Sequence, residues 1–157
     1  MPTAIAKQIF NRLEGGYFIK KVVHKSSPTM TTISNNGVIL ATGEGTAQFL
    51  KIGKNTLLYR EDLLINYHNS ATRIPAFKEY KYIFKDNKIK KYFVNDEQLF
   101  YKMNFTSSVT AQAEHICGED IYNTKYSFFD EDSFSLSYEI YGPNKSHIII
   151  TNFNRKL

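Results

Sequence analysis

Apolar and polar residues alternate with a period of two along most of this chain. In 134–140, Phe134, Leu136, Tyr138 and Ile140 fall on one side and Ser135, Ser137 and Glu139 on the other, as in a strand with one buried face. Comparable stretches predict strands at 17–24, 45–52, 56–65, 77–85, 88–94, 98–105, 109–117, 121–129 and 146–155, with short ones at 30–34 and 38–42. Turn residues punctuate them: Asn35-Asn36-Gly37, Gly53-Lys54-Asn55, Asp86-Asn87, Asn95-Asp96, Asp130-Glu131-Asp132 and Gly142-Pro143-Asn144. Residues 66–76 read as the longest loop. Only the beginning departs from this rhythm. There Ile5, Ile9 and Leu13 recur every four residues, Thr3 caps the start and Gly15-Gly16 stops the run. A helix of about three turns is marginal alone, so it is expected to lid or plug the sheet.

The predicted architecture is all-β: an antiparallel up-and-down β-barrel of about eight to ten strands with a short N-terminal helix. Strands follow one another as hairpins, with no βαβ alternation, fixed-period repeat or linker. Closing such a meander removes its exposed edges. A single domain over residues 1–157 is expected.

Composition agrees with this pattern. Aromatic residues make up 15% of the chain, as 11 Tyr and 12 Phe without Trp, and both types suit a half-buried sheet surface. The hydrophobic share of 42% and charged share of 22% exclude a disordered chain. No apolar run reaches the roughly 20 residues of a membrane-spanning helix, and no signal peptide is apparent. With a single cysteine there is no internal disulfide framework, so a cytoplasmic location is expected.

The net charge of +5 is unevenly spread. Residues 78–91 carry Lys78, Lys81, Lys85, Lys88, Lys90 and Lys91 against Glu79 and Asp86, while 114–141 is acidic. The basic hairpin is read first as solvated outer strand faces. A nucleic-acid partner would need a continuous basic groove and is not expected. An acidic protein partner for this hairpin is the alternative it leaves open.

Chemistry concentrates in His115-Ile116-Cys117-Gly118-Glu119-Asp120-Ile121-Tyr122. Alternation puts His115 and Cys117 on the face shared by Ala111 and Ala113, and Tyr122 on the face of Tyr126 and Phe128. If small and apolar residues point inward, these polar groups do too. Gly118 is the natural turn residue.

The chain resembles the domain-of-unknown-function family numbered 6314. The likeness rests on Gly15-x-Tyr17, Gly45-Thr46-Ala47-x-Phe49, Leu57-x-Tyr59-x-Glu61 and Phe77-x-x-Tyr80-x-Tyr82. It continues with Phe93, Asp96 and Phe100, then His115-x-Cys117-Gly118-x-Asp120-x-Tyr122, Gly142-Pro143-x-Lys145 and Thr151-x-Phe153-x-Arg155. Tyr17 and Phe134 stand where that family usually has tryptophan, and Lys21 where arginine is usual. The resemblance implies a calycin-like barrel of lipocalin or fatty-acid-binding-protein type and no activity. In that fold an aromatic residue near the start of the first strand packs on an arginine of the last; Tyr17 and Arg155 are similar to that pair.

Three readings of the cluster stand side by side. In the first, His115, Cys117, Asp120 and Tyr122 are the polar anchor for a small, partly apolar ligand, with Tyr59, Glu61, Tyr80 and Arg155 as supporting lining. In the second, the cavity belongs to an enzyme with His115 as general acid or base. In the third, the cluster satisfies itself and pins a tight corner. Glu61 needs a cation, for which Arg155, Lys145 and Arg73 are candidates. A zinc site is disfavoured by the H-x-C spacing, and haem ligation by His115 or His147 is a lesser option. No metal or cofactor is expected, and the oligomeric state is open.

Overall fold

The computed structural model describes residues 2–25, 38–143 and 146–157, with only the backbone of 2–4. Helix α1 (Pro2–Leu13) precedes β1 (Gly15–Lys25), β2 (Val38–Gly53), β3 (Thr56–Tyr67), β4 (Arg73–Lys85) and β5 (Lys88–Phe93). There follow β6 (Leu99–Phe105), β7 (Thr110–Cys117), β8 (Asp120–Asp130), β9 (Ser133–Tyr141) and β10 (Ser146–Arg155). Each strand pairs antiparallel with the next, and β1 pairs with β10, closing the barrel. The register runs from Tyr17↔Arg155 to Lys25↔His147. The expected all-β up-and-down barrel with an N-terminal helix is the observed fold.

Details differ from expectation for local reasons. The helix starts at Pro2, so Thr3 lies in its first turn, where proline costs nothing because the first N–H groups are unpaired anyway. Residues 38–42 and 45–52 form one strand of 16 residues. Gly45 permits this: a Cβ there would overlap the carbonyl of Asp62 on β3. The polar stretch 66–76 is mostly strand, because Ile65 pairs with Ile74 and Leu63 with Ala76. Pro75 is tolerated since this part of β4 has no β5 partner to receive an N–H. The Asp86-Asn87 turn has both residues at positive φ, as a two-residue hairpin turn requires. The strand at 30–34 and the Asn35-Asn36-Gly37 turn lie outside the described residues.

The helix plugs one end. Ala6, Ile9, Phe10 and Leu13 are buried, and Phe10 packs on Phe84 with ring centroids 5.7 Å apart. Beneath it Tyr17 meets Phe49, Phe134 and Phe153 edge to face at 5.5–5.9 Å. The expected Tyr17–Arg155 pair closes this end, with the guanidinium 4.8 Å from the ring centroid. Tyr17 donates to the Leu13 carbonyl at 2.9 Å, and Arg155 donates to the carbonyls of Arg12 at 2.5 Å and Glu14 at 2.8 Å. These satisfy carbonyls that a helix C-terminus leaves unpaired. Gly15, at φ 133°, is needed there because a Cβ would also collide with Arg155.

Among the described residues no element covers the other end, and one side of its wall is low. β5 and β6 have only 6 and 7 residues. Residues 73–79 of β4 therefore have no β5 partner, and β6 meets β7 in just Asn104↔Gln112 and Phe105↔Ala111.

Arg155→Ala should lower unfolding stability by about 2–3 kcal/mol in urea titration, from the loss of charge-assisted bonds to the helix end. Arg155→Lys should restore less than half, since one ammonium cannot reach both carbonyls.

Candidate functional site

Strand parity decides what faces the interior. Ile89, Lys91 and Phe93 alternate inward on β5, as Lys78, Tyr80 and Tyr82 do on β4. Lys91 is thus carried to the middle of the barrel, 2% exposed. Its Nζ lies 4.1–5.8 Å from the ring centroids of Tyr59, Tyr80, Tyr82, Phe100, Tyr101 and Tyr138. It donates to the Tyr138 hydroxyl at 2.9 Å. From there phenol hydroxyls form a chain: Tyr138 to Tyr101 at 3.1 Å, Tyr101 to Tyr126 at 2.5 Å and Tyr126 to Tyr82 at 2.8 Å. Among the described residues Lys91 has no ion pair.

Burial pushes the Lys91 amine well below its ordinary value of 10.5; Glu61 pulls it back, and Lys21 and Lys78 add to the depression. The rings repay part of the desolvation through their negative faces but bring no anion. Burial likewise raises the Tyr82, Tyr101, Tyr126 and Tyr138 hydroxyls well above 10.0, so they remain protonated donors.

One turn higher in the barrel, Lys21 of β1 reaches Glu61 of β3 at 2.6 Å, and Tyr59 donates to the same carboxylate at 2.7 Å. Burial opposes ionisation of Glu61, but Lys21 and Tyr59 outweigh it and hold its carboxyl below the usual range. Lys78 points into the mouth, walled by protein yet reached by solvent. Its enclosure and Lys21 lower its amine, an effect that water screens more than at Lys91. The open half of the barrel is an aromatic-lined cavity of the kind that suits small molecules.

The sequence-predicted residues fall into three places. Tyr59, Glu61 and Tyr80 line the cavity. Glu61 has its cation, but this is Lys21 and not Arg155 or Arg73; Lys145 lies outside the described residues. Arg155 stands at the opposite, closed end, where its partners are helix carbonyls and Asp132. His115, Cys117, Asp120 and Tyr122 form the β7–β8 hairpin at the rim, with His115 opposite Tyr122 and Cys117 opposite Asp120. Gly118, at φ 62°, makes the turn.

Within that hairpin His115 packs on Phe100 at 5.0 Å, Tyr122 at 6.1 Å and Phe93 at 6.3 Å. Cys117 is a free, exposed thiol, and Asp120 sits against Gly142, whose missing side chain makes room for it. Among the described residues no three His, Cys, Asp or Glu side chains converge as a metal site.

The interior lysines Lys21, Lys78 and Lys91 were absent from the predicted site. Their signal was legible: Lys91 shares its face with Ile89 and Phe93, and Lys78 with Tyr80 and Tyr82. Reading 78–91 as a solvated basic hairpin misplaced Lys91, which is buried; Lys78 takes the inward parity of β4 yet stays exposed, and the remaining lysines keep outward positions.

Fold and interior together define a closed ten-stranded antiparallel barrel with a helix-plugged end and a polar, aromatic cavity. The chain belongs to the family of unknown function DUF6314, whose model matches residues 13–155. Among solved structures it is similar to the S-type phycobiliprotein lyase CPES from Guillardia theta, at TM-score 0.67 and 8% identity over 100% of this chain and 98% of that one. Weaker similarities include the design EF1p2_mFAP2b bound to DFHBI, at TM-score 0.48 and 10% identity over 98% of this chain and 99% of that one. Another is the Schistosoma mansoni fatty acid binding protein in complex with arachidonic acid, at TM-score 0.40 and 11% identity over 94% and 98%. No curated protein matches the sequence. Among the described residues no helix is long and apolar enough to cross a membrane.

Lys91 makes stability depend on pH with a definite sign. Its folded-state affinity for protons is depressed, so below 10.5 the unfolded chain binds more protons and stability rises with pH. The buried tyrosines act in the opposite sense, but only above about pH 10, where the unfolded phenols ionise first. Urea titrations should therefore show stability climbing between the lowered folded-state value of Lys91 and a maximum near pH 10. Lys91→Met should flatten the climb and be about 1–4 kcal/mol more stable at pH 7. An unchanged slope in the variant would contradict the assignment.

Proposed function

We propose that this protein binds a small, partly apolar molecule carrying an anionic group in the open half of its barrel. The observation that carries this reading is the charge balance of the interior. Lys21 and Lys78 bring positive charge to a cavity that contains Glu61 as its one carboxylate among the described residues, and Lys21 already uses it, while Lys91 is lowered toward its neutral form. An aromatic wall with Lys78 as an unmatched amine suits a ligand with an apolar body and a carboxylate, sulfonate or phosphate.

In this reading Tyr59, Glu61 and Tyr80 form the inner wall and Lys78 meets the anionic group near the mouth. His115 and Tyr122 make the aromatic rim, with Cys117 and Asp120 at its outer corner. Thr124 adds a second polar contact, since its hydroxyl is buried and has no hydrogen-bond partner among the described residues. Entry is over the low wall at β5 and β6. Arg155 keeps the far end closed and takes no part in binding.

A matched pair of fluorescent probes tests the reading. Anionic 8-anilinonaphthalene-1-sulfonate should bind more tightly than neutral N-phenyl-1-naphthylamine. Lys78→Met should weaken the anion by about fivefold, the ~1 kcal/mol expected of a partly screened charge, and leave the neutral probe unchanged. Equal affinities insensitive to Lys78, or no binding of either probe, would contradict it.

A further inference from the structure

We infer that Lys91 is a carbonyl-trapping residue: its amine forms an imine with an aldehyde that enters the cavity, and the Tyr138 hydroxyl relays the protons. The inference rests on the binding reading above for access to the amine, and goes beyond it in assigning a covalent chemistry.

Several observations converge on this one side chain. Lysine is a costly choice at a fully enclosed barrel position, where leucine or methionine would fill the space at no electrostatic expense. Here it has no carboxylate partner among the described residues, and its single hydrogen bond is to Tyr138 at 2.9 Å. Charged groups face it from β1, β3 and β4 as Lys21, Glu61 and Lys78, and Glu61 is held by Lys21 at 2.6 Å. The surroundings therefore favour the neutral amine, which is the nucleophilic form. At pH 7 only about one ordinary lysine in three thousand is unprotonated, so an amine whose surroundings disfavour its proton stands apart from the surface lysines.

The neighbours supply what the reaction needs. The Nζ lone pair attacks the carbonyl carbon, and the carbonyl oxygen takes a proton from Tyr138. A nitrogen proton returns to the phenol oxygen, giving a neutral carbinolamine. Loss of its hydroxyl with a further proton forms the C=N bond and releases one water. The two hydrogens of that water come from the amine, its oxygen comes from the aldehyde, and no oxidant or reductant enters. Tyr138 does not act alone, because its hydroxyl continues through Tyr101 and Tyr126 to Tyr82, over which a proton can be redistributed. Any protonated imine is a cation, and the six ring faces around Nζ suit a cation. A planar conjugated or aromatic aldehyde matches these walls, because it stacks against rings while presenting its carbonyl at the floor.

Reductive trapping on the purified full chain tests this. With Cys117 first blocked by iodoacetamide, incubation with trans-cinnamaldehyde and sodium cyanoborohydride at pH 7, followed by intact-mass and peptide mapping, should give one dominant lysine adduct, on Lys91. Lys91→Met should lose that adduct, and Tyr138→Phe should slow its formation at least tenfold while leaving slow surface labelling unaltered. Mapping of the unmodified sequence needs no variant, so a folding defect in Lys91→Met would not spare the proposal. Labelling spread over surface lysines, with Lys91 untouched, would overturn it. Cinnamyl alcohol, which cannot form an imine, separates this from the binding reading. If the alcohol binds in the cavity but Lys91 is not trapped, only the imine chemistry fails; if the alcohol is excluded and 8-anilinonaphthalene-1-sulfonate does not bind either, both fail.

Discussion

Strand β1 is hydrogen-bonded along both of its edges, to β2 and to β10, and the rest of the structure depends on that double pairing. Once it forms, a meander becomes a tube, and alternate residues of every strand have nowhere to go but inward. The helix is the second half of the same constraint. A tube this wide needs an end closed by something other than strands. A three-turn amphipathic segment held by Tyr17 and Arg155 does this with few contacts outside the floor.

The interior that results is divided along its length. Toward the helix it is filled with aromatic rings at van der Waals separation, such as Phe134 and Phe153 stacked at 4.2 Å. Toward the mouth the inward positions turn polar: Lys91, then Glu61 and Lys21, then Lys78 and the His115 rim. A lysine without a carboxylate partner among the described residues opposes folding at the boundary, since its amine must shed water and holds its proton less well as the barrel closes. Its tyrosine neighbours soften that cost, and their hydroxyls satisfy one another as well as Nζ. Natural chains keep such local expense where a site needs it and recover stability elsewhere, here in the dense aromatic half.

The two clusters that draw attention have different physical standing. His115, Cys117, Asp120 and Tyr122 are neighbours because a tight hairpin turn makes them so. Their contacts are ring packing at the rim and the close seat of Asp120 beside Gly142. The Lys91 group comes instead from β3, β4, β5, β6, β8 and β9, brought together only by closure of the wall. Local density of reactive residue types singles out the first; depth and missing counter-charge single out the second.

Period-two alternation, hairpin turns and one short amphipathic run determined the fold class, most strand positions, the plugged end and the inward faces. That information is local, because side-chain direction in a strand follows from residue parity alone. Parity even placed Lys91 with Ile89 and Phe93, although the charge of its hairpin obscured it. Tertiary structure alone decided that Lys21 answers Glu61 across two strands, and that 38–42 and 45–52 are one strand. It alone set four tyrosine hydroxyls in a line ending at Lys91. Those facts depend on register and closure between segments distant in sequence, which no window along the chain contains. The His115–Tyr122 hairpin was visible from the start as a corner, and the folded barrel adds a second polar group, around Lys91, deeper inside.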